Sequence, residues 1–433
     1  MRRRRSDAGR RVWSVLIGSG VPGDRPNLPG RAATPTVGQS GFAGTMILFW
    51  LSVTASLVGV AGCIYLVAAA ILVARPARKP AHPRAASSPA VTVLKPLHGN
   101  EPGLADNLGS FCGQDYPGPI QVVFGVQDPN DGAIAVVQRL QKAHTASELD
   151  LVIEPKMHGL NRKVSNLVNM APSIRHDVVV LADSDMRVGP DYLSRVIAAL
   201  EEPGVGAVTC LYYGIPVTGP WASLAALAIN THFLPSVVVG LAVGLARPCF
   251  GSTLALRRRT LGEIGGFIAF VDCLADDYAM GKALRARGCT IAIPPFAIAH
   301  MCTQTSAHEF WRHELRWART IKSIDPVGYA GSIVAHPLPW ALIAALLGAG
   351  SSVFLPALAV AMTAIACRMA LLRQVQQAYA LPPQAYWLVP ARDLLSFILF
   401  VVSFLGRDVS WKGHRYRMIG GGSWVTDRGS HAP

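Results

Sequence analysis

Four groups of side chains in this chain have types and spacings that can do chemistry. Asp128 directly follows the apolar run Val122-Val-Phe-Gly-Val-Gln127, and Asp183-Ser-Asp185 directly follows Val178-Val-Val-Leu-Ala182. Asp276-Asp277 precedes a helical run over 278–287, and His313-Glu-Leu-Arg316-Trp317 lies in a stretch with helical spacing. An Asp-x-Asp at a strand end can set a carboxylate oxygen beside a divalent cation, which can take its other ligands from a substrate's phosphates. Each group also has a plainer reading alone. A single Asp after a strand is commonly a turn former or helix cap, an Asp pair ahead of a helix is commonly an N-cap, and Arg-Trp is commonly a membrane-interface anchor. Their order and their surroundings are more specific than any one of them.

Those surroundings are alternating elements. Short β-branched runs at 91–94, 121–126, 151–153, 178–181 and 206–210 read as strands. The segments 133–144, 163–170 and 192–200 between them read as helices. Strands alternating with helices imply a mostly parallel, doubly wound α/β sheet, whose ligands sit at the carboxyl ends of the strands. Acids just past such strands are therefore site candidates.

Apolar blocks flank this region. Residues 46–74 carry no charge, and at about 1.5 Å per residue such a helix exceeds a hydrocarbon core of about 30 Å. Arg75, Arg78, Lys79, Arg84 and Lys95 follow without an acid, so the positive-inside rule makes that flank cytoplasmic. Pro76, Pro80, Pro83 and Pro89 make residues 75–90 an extended tether. Residues 221–246 are apolar again, but Pro235 and several glycines are expected to break the run, which reads as an interfacial or groove-lining segment ahead of a core helix pair or a full span. Residues 338–372 are long for one crossing and tight for two, with a break on offer at Gly348-Ala-Gly-Ser-Ser352. Residues 386–405 form a last block, interrupted by Arg392 and Asp393, which are expected to pair inside a bundle. The number of C-terminal crossings stays open.

The whole-chain arithmetic fits this. Of 433 residues, 51% are hydrophobic and only 15% charged, with net charge +14, pI about 9.7 and mean hydropathy +0.33. That excludes a disordered chain and argues against a nucleic-acid partner, which calls for dense basic faces. Of the +14, +6 lies in residues 1–45 and +5 in the flank from Arg75 to Lys95, leaving about +3 for the rest. Residues 1–45 are expected to be a disordered tail or to precede a true start at Met46; the apolar stretch at 12–17 is too short for a signal-peptide core. The eight scattered cysteines show no metal or disulfide spacing.

As a set, the motifs resemble membrane-bound family 2-type glycosyltransferases, with their D, DxD, (E/T)D and (Q/R)xxRW elements, and more closely the ceramide glucosyltransferase group. The resemblance rests on Val126-Gln-Asp-Pro-Asn-Asp131, Asn161-Arg-Lys-Val-Ser-Asn166, Asp183-Ser-Asp-Met-Arg-Val188, Asp276-Asp-Tyr-Ala-Met280, Arg316-Trp317 and Ser410-Trp-Lys-Gly-His-Arg-Tyr-Arg417. Within that group, Leu94-Lys-Pro-Leu-His-Gly99, Arg175-His-Asp177 and Trp311-Arg-His-Glu-Leu-Arg-Trp-Ala-Arg319 are most similar to the bacterial hopanoid-biosynthesis-associated glycosyltransferases.

The resemblance implies a GT-A catalytic domain (Rossmann-like, mostly parallel) over 91–325, with N- and C-terminal transmembrane helices, an interfacial RW helix at 308–320, membrane segments over 333–406 and a basic cytoplasmic tail at 407–433. It implies that Asp128 holds the base and ribose of the nucleotide and that Asn161 and Lys163 lie near it. Asp183 and Asp185 would serve Mg2+ or Mn2+, with Asp185 the direct ligand. Asp277 would be the general base, and Arg316 and Trp317 would support the leaving diphosphate and close the acceptor site. His313 stands where the family has Gln or Arg, and Asp276 where it has Glu. The implied reaction is inverting transfer from a UDP-sugar to a membrane lipid alcohol in the bacterial inner membrane, with the catalytic domain cytoplasmic. The first expectation is N-acetylglucosamine from UDP-GlcNAc to bacteriohopanetetrol. The alternatives are glucose from UDP-glucose to ceramide, another glycolipid synthase, or a membrane scaffold with a degenerate transferase domain.

Overall fold

A computed structural model of the chain describes residues 39–78, 87–145, 147–406, 408–411, 414–420 and 423–426. The expectations for most of the N-terminal tail and for Lys79 and Arg84 lie outside them. The chain divides into a unit ending at Met46, described only as the first turns of a helix, and a unit from Ile47 to Pro433 that holds everything else below.

Helix α1 (Gln39–Arg78) carries the first apolar block and is apolar all round over residues 46–74; it runs on through Pro76 to Arg78, so residues 75–78 of the expected extended tether are helical. Then come β1 (Val91–Pro96), α2 (Leu104–Cys112), β2 (Ile120–Val126), α3 (Ala133–Ala143), β3 (Glu148–Ile153), α4 (Arg162–Met170) and β4 (Val178–Leu181). After the two-residue β5 (Met186–Arg187) follow α5 (Tyr192–Leu200), β6 (Val205–Thr209) and β7 (Leu211–Pro216). Each strand and helix read from the sequence is present within a few residues of its expected ends. The seven-stranded sheet has the order β3-β2-β1-β4, continued by β8 (Leu254–Arg257), β6 and β9 (Thr290–Ala292).

Alternation along the strands explains the two-sided core. Val91 and Val93 with Val178 and Val180 join one apolar cluster, containing Leu108, Phe111 and Val196 from α2 and α5. Leu94 with Val179 and Leu181 joins a second, containing Val164 and Leu167 from α4. The sheet is thus covered on both faces, which is why its strands read as unbroken apolar runs. Pairs β1–β2, β2–β3, β1–β4 and β6–β9 are parallel, but β8 runs antiparallel to both β4 and β6. That reversed strand was not read from the sequence. The chain re-enters the sheet there from a long helical excursion, made of α6 (Pro220–Ala228) and α7 (Leu234–Ala242).

The excursion departs from the expected interruption at Pro235. A π-helical turn at Ile229–Phe233 carries helix α6 straight into α7, and Pro235 follows it in the first turn of α7, where its missing N–H leaves a carbonyl of the preceding turn without a helical donor. The continuous run Pro220–Ala242 is long and apolar enough to cross a membrane. It packs on β7 on one side and on the C-terminal helices on the other.

Beyond β8 come α8 (Arg258–Glu263), α9 (Asp276–Ala286), then β10 (Ala297–Cys302), which joins β5 and β7 in a small second sheet. Helix α10 (Ala307–Ile324) leads to α11 (Pro326–Gly331) and α12 (Pro337–Leu347), whose axes are bent by 65° across His336. The glycine-serine run ends α12 as expected, with Gly350 at φ +79°, and α13 (Phe354–Ala378) and α14 (Val389–Phe404) complete the membrane part. Among the described residues four helices are long and apolar enough to cross, or five if the bent pair is one span. A three-stranded antiparallel sheet, β11 (Asp408–Trp411), β12 (His414–Gly420) and β13 (Ser423–Thr426), ends the described chain. All eight cysteines are free.

The expected Arg392–Asp393 pair does not form. Consecutive helical residues point about 100° apart, and each finds a different partner. Asp393 takes Arg368 of α13 at 2.9 Å, and Arg392 takes Glu314 of α10 at 2.6 Å. Arg368 also donates to the carbonyls of Thr231 (2.7 Å) and Ala335 (2.6 Å), groups exposed by the π turn and by the bend before α12. A buried cation thereby satisfies backbone acceptors that no water reaches.

Candidate active site

Registers Val93↔Val122 and Leu94↔Leu181 bring the carboxyl ends of β1, β2 and β4 to one edge, at the point where strand order reverses. Asp128 and the Asp183-Ser-Asp185 loop both leave from that edge. Asp128 is exposed and accepts from the N–H of Asn130 at 2.9 Å, closing a turn. The Asp-x-Asp loop is held through its backbone. The amide of Asp183 donates to Gly251 O (3.1 Å), and Lys95 Nζ donates to Asp183 O (2.5 Å). Met301 N donates to Asp185 O (2.8 Å). Such bracing removes the conformational freedom a loop carboxylate would otherwise have.

Lys163, on the first turn of α4, reaches Asp183 Oδ1 at 2.7 Å and Asp276 Oδ2 at 3.2 Å. Burial alone would lower its pKa, but Asp183, Asp276 and Asp277 together raise it, so it stays cationic. Asn161 is fully buried and fully committed. Its carbonyl caps α4 at Val164 N, and its amide donates to Cys273 O and lies 3.4 Å from Asp276 Oδ1. It ties α4 to α9 rather than pointing a free group into the site.

Asp277 opens α9 and accepts from two backbone amides, Tyr278 N at Oδ1 (2.7 Å) and Gly251 N at Oδ2 (2.9 Å). Burial, helped by the charge of Asp276, pushes its pKa up to about 6, against 3.8 ordinarily. Burial also raises the pKa of Asp183, with Lys163 opposing. Gly251 is the shared hinge of the two acids. A Cβ there would stand 2.7 Å from Asp183 Oδ2 and 3.0 Å from Lys163 Nζ, so only glycine leaves the acids this close to one backbone.

The other wall is aromatic. Trp317 packs with His313 (ring centroids 5.1 Å), Phe233 (6.0 Å), His300 (6.0 Å) and Tyr212 (6.4 Å), and Tyr212 stacks on Phe233 at 4.7 Å. Burial raises the Tyr212 phenol well above its usual range, and the charges of Asp277, Asp185 and Asp183 add to it. Arg316 faces the same acids. Burial lowers its pKa to about 10, while Asp185 and Asp183 work to raise it. Burial also lowers His313, against the neighbouring Glu314. Carboxylates and one guanidinium thus face a set of packed rings.

A divalent cation can be tested against these residues. Asp185 Oδ1 is buried without a hydrogen-bond partner, and so is His300 Nδ1, which lies 3.8 Å from Asp185 Oδ2. No group of three or more His, Cys, Asp or Glu side chains is arranged to hold a metal among the described residues. One open carboxylate beside a loop, with Asp183 already bridged by Lys163, suits an ion that takes its remaining ligands from phosphate and water.

Of the residues singled out in the sequence, the structure gathers Lys163, Asp183, Asp185, Asp277, Arg316 and Trp317 into one cluster, with His313 packed on Trp317 and Asn161 beside Asp276. Asp128 shares the sheet edge. Gly251, His300, Tyr212 and Phe233 were not found by motif or spacing, because they arrive on four separate elements: the connection before β8, β10, β7 and the π turn between α6 and α7.

Residues 54–424 match Glycosyl transferase family 21. Over 354 residues the chain is 25% identical to ceramide glucosyltransferase 1 of Caenorhabditis elegans, covering 79% of this chain and 74% of that protein. Over 250 residues it is 22% identical to an N-acetylglucosaminyltransferase of Rhizobium leguminosarum bv. viciae, covering 54% and 55%. Among solved structures, the mannosyltransferase PcManGT from Pyrobaculum calidifontis, in complex with GDP-Man and Mn2+, superposes with a TM-score of 0.53 at 21% identity, over 83% of this chain and 99% of that one. The last likeness shows a common GT-A fold.

Proposed function

Because the chain belongs to glycosyl transferase family 21, we propose that it moves a sugar from a UDP-sugar onto a hydroxyl of a membrane lipid, inverting the anomeric centre. The observation that carries this reading is Asp277. It is a half-buried carboxylate whose surroundings push its pKa up to about 6, aimed by two backbone amides, between an Asp-x-Asp loop and an aromatic wall that continues into the apolar run Pro220–Ala242.

The acceptor hydroxyl is a poor nucleophile at neutral pH. Asp277 takes its proton as oxygen attacks the anomeric carbon, a step worth about 10²–10⁴-fold. One base opposite a leaving diphosphate suffices, and this gives a β-glycoside from an α-linked donor. Arg316 and Lys163 offset the charge that grows on the diphosphate, in a site where burial strengthens their field. Asp128 holds the nucleoside at the sheet edge. His313 packs behind Trp317, setting the ring that closes the acceptor side. Mg2+ or Mn2+ at Asp185, with Asp183 or His300 beside it, would supply Lewis-acid stabilisation of the diphosphate.

The lipid acceptor stays in the bilayer and offers only its polar head. N-Acetylglucosamine transfer from UDP-GlcNAc to bacteriohopanetetrol is the first reading, supported by the motifs around Lys95, His176 and Arg316 and by the N-acetylglucosaminyltransferase relative. Glucose transfer from UDP-glucose to ceramide is the second, supported by the ceramide glucosyltransferase relative. The basic flank beginning at Arg75 orients the catalytic domain to the cytoplasmic face, of the inner membrane in a bacterial cell. The test pairs both UDP-sugars with both acceptors, using the protein in lipid nanodiscs, with lipid mass spectrometry as the readout. A hexosamine-bearing hopanoid supports the first reading and a glucosylceramide the second. Absence of any glycolipid with every pair overturns the function.

A further inference from the structure

The apolar excursion ends in a loop, residues 241–247, that is built to keep two aliphatic side chains in the open. Val243 is 60% exposed and Leu245 84% exposed. The loop is nonetheless closed on itself. The carbonyl of Gly240 accepts from both Leu245 N and Ala246 N, at 2.9 Å each, and Gly244 N donates to Leu241 O at 3.2 Å. Gly244 has φ +72°, the left-handed conformation that turns the tip at no steric cost, and a Cβ on Gly240 would stand 2.8 Å from that of Ala246. A tip ordered by its own backbone that faces outward with Val and Leu gains nothing from water.

Two observations say what covers it. Helix α7, which carries the tip, packs Leu234 and Val238 against Leu66, Ala69 and Val73 of α1 and against Leu371 and Val375 of α13, two helices of crossing length. Tyr65 of α1 also bonds Ser236 of α7 at 2.9 Å. The tip is therefore continuous with the membrane-crossing bundle, and exposed Arg247 follows its apolar residues as an interfacial cation does. On its other side the loop runs within four residues from Arg247 to Gly251, which holds Asp183 and Asp277, by way of Phe250 in the aromatic wall.

We propose that residues 241–247 insert Val243 and Leu245 into the interface of the phospholipid bilayer and form the lip over which the acceptor lipid passes to Asp277. The second half of this statement rests on the transferase reading above; the insertion does not.

Insertion is read first, without reference to any reaction. Benzoylphenylalanine placed at position 245 of the full chain, in vesicles of phosphatidylglycerol and phosphatidylethanolamine, should cross-link to lipid on irradiation. Cross-links confined to another copy of the chain or to another protein, or an absence of lipid adduct, overturn insertion. The lip is read with the double variant Val243→Ser/Leu245→Ser. Its transfer to bacteriohopanetetrol or long-chain ceramide embedded in those vesicles should fall about tenfold. Transfer to the same polar head on a six-carbon tail should keep the wild-type rate. Equal rates with the embedded acceptor, or equal losses with both acceptors, overturn the lip. A wild-type protein silent with every acceptor overturns the transferase reading instead, while the cross-link still reports on insertion.

Discussion

Arg392 of α14 and Glu314 of α10 meet at 2.6 Å with both side chains nearly sealed from solvent. The bond joins a membrane helix to the helix that carries Arg316 and Trp317, and Arg392 is further held by Ser396 Oγ at 2.9 Å and by the ring of Phe310. Burial works to raise the pKa of Glu314, but Arg392 and His313 bring it below the usual range, so the pair is ionised. Glu314→Ala leaves a buried guanidinium unpaired and is expected to cost about 3–5 kcal/mol. Glu314→Gln, which keeps one hydrogen bond, should cost less. Thermal unfolding in detergent micelles measures both; an unchanged midpoint for Glu314→Ala would show that the pair does not brace the helix.

Asp277→Asn should lower transfer by about 10²–10⁴-fold, because an amide cannot take the acceptor proton. UDP binding, followed by calorimetry, should stay near wild type. Turnover at the wild-type rate would remove the base assignment.

Titration of the same group gives a sign. The base works ionised, so log(kcat/KM) should rise with unit slope below a pH of about 6, the folded-state value of Asp277, and level off above it. Stability runs the other way. A carboxyl raised from 3.8 to about 6 contributes stability that is full below 3.8 and is lost as pH rises through about 6. Activity and Tm measured over pH 4.5–8 should therefore slope oppositely; a pH-independent kcat/KM over that range contradicts the scheme.

Lys163 is the counter-charge for Asp183 and Asp276 and lies in the field of Asp277. Lys163→Met should shift the acid limb of the pH–rate profile upward, since one cation fewer faces the remaining carboxylates. It should also weaken UDP-sugar binding. An unmoved limb would place Lys163 outside the electrostatics of the base.

Asp185 keeps one buried oxygen without a partner. Chelation with EDTA should abolish transfer in the wild type, and Mn2+ or Mg2+ should restore it. Asp185→Asn should fold normally but lose the metal-dependent increment in UDP affinity. Full activity in EDTA would remove the metal role.

How much of this was legible beforehand depends on distance along the chain. Helix α5 begins and ends where the apolar period does, and the alternation in β1 and β4 announces their two buried faces. These are local properties of a few successive side chains. The Asp-x-Asp loop and the pair opening α9 were visible because they directly adjoin such elements. The two amides on Asp277 show the limit. Tyr278 N is the next residue, whereas Gly251 N comes from 26 positions away and has no motif of its own.

The amino-acid sequence by itself determined the inventory: an α/β domain with acids at its strand ends, set between apolar blocks, with its basic excess in the flanks. The tertiary structure alone decided the partners. It turned β8 against its neighbours, carried the helix by a π turn past the expected break at Pro235, and gave Arg392 to Glu314 and Asp393 to Arg368. It also raised the pKa of Asp277 by enclosing it. The physical reason is that periodicity and turn chemistry are encoded within a few residues. Burial and ion pairing are set by which distant elements the topology brings within 3 Å or so of one another.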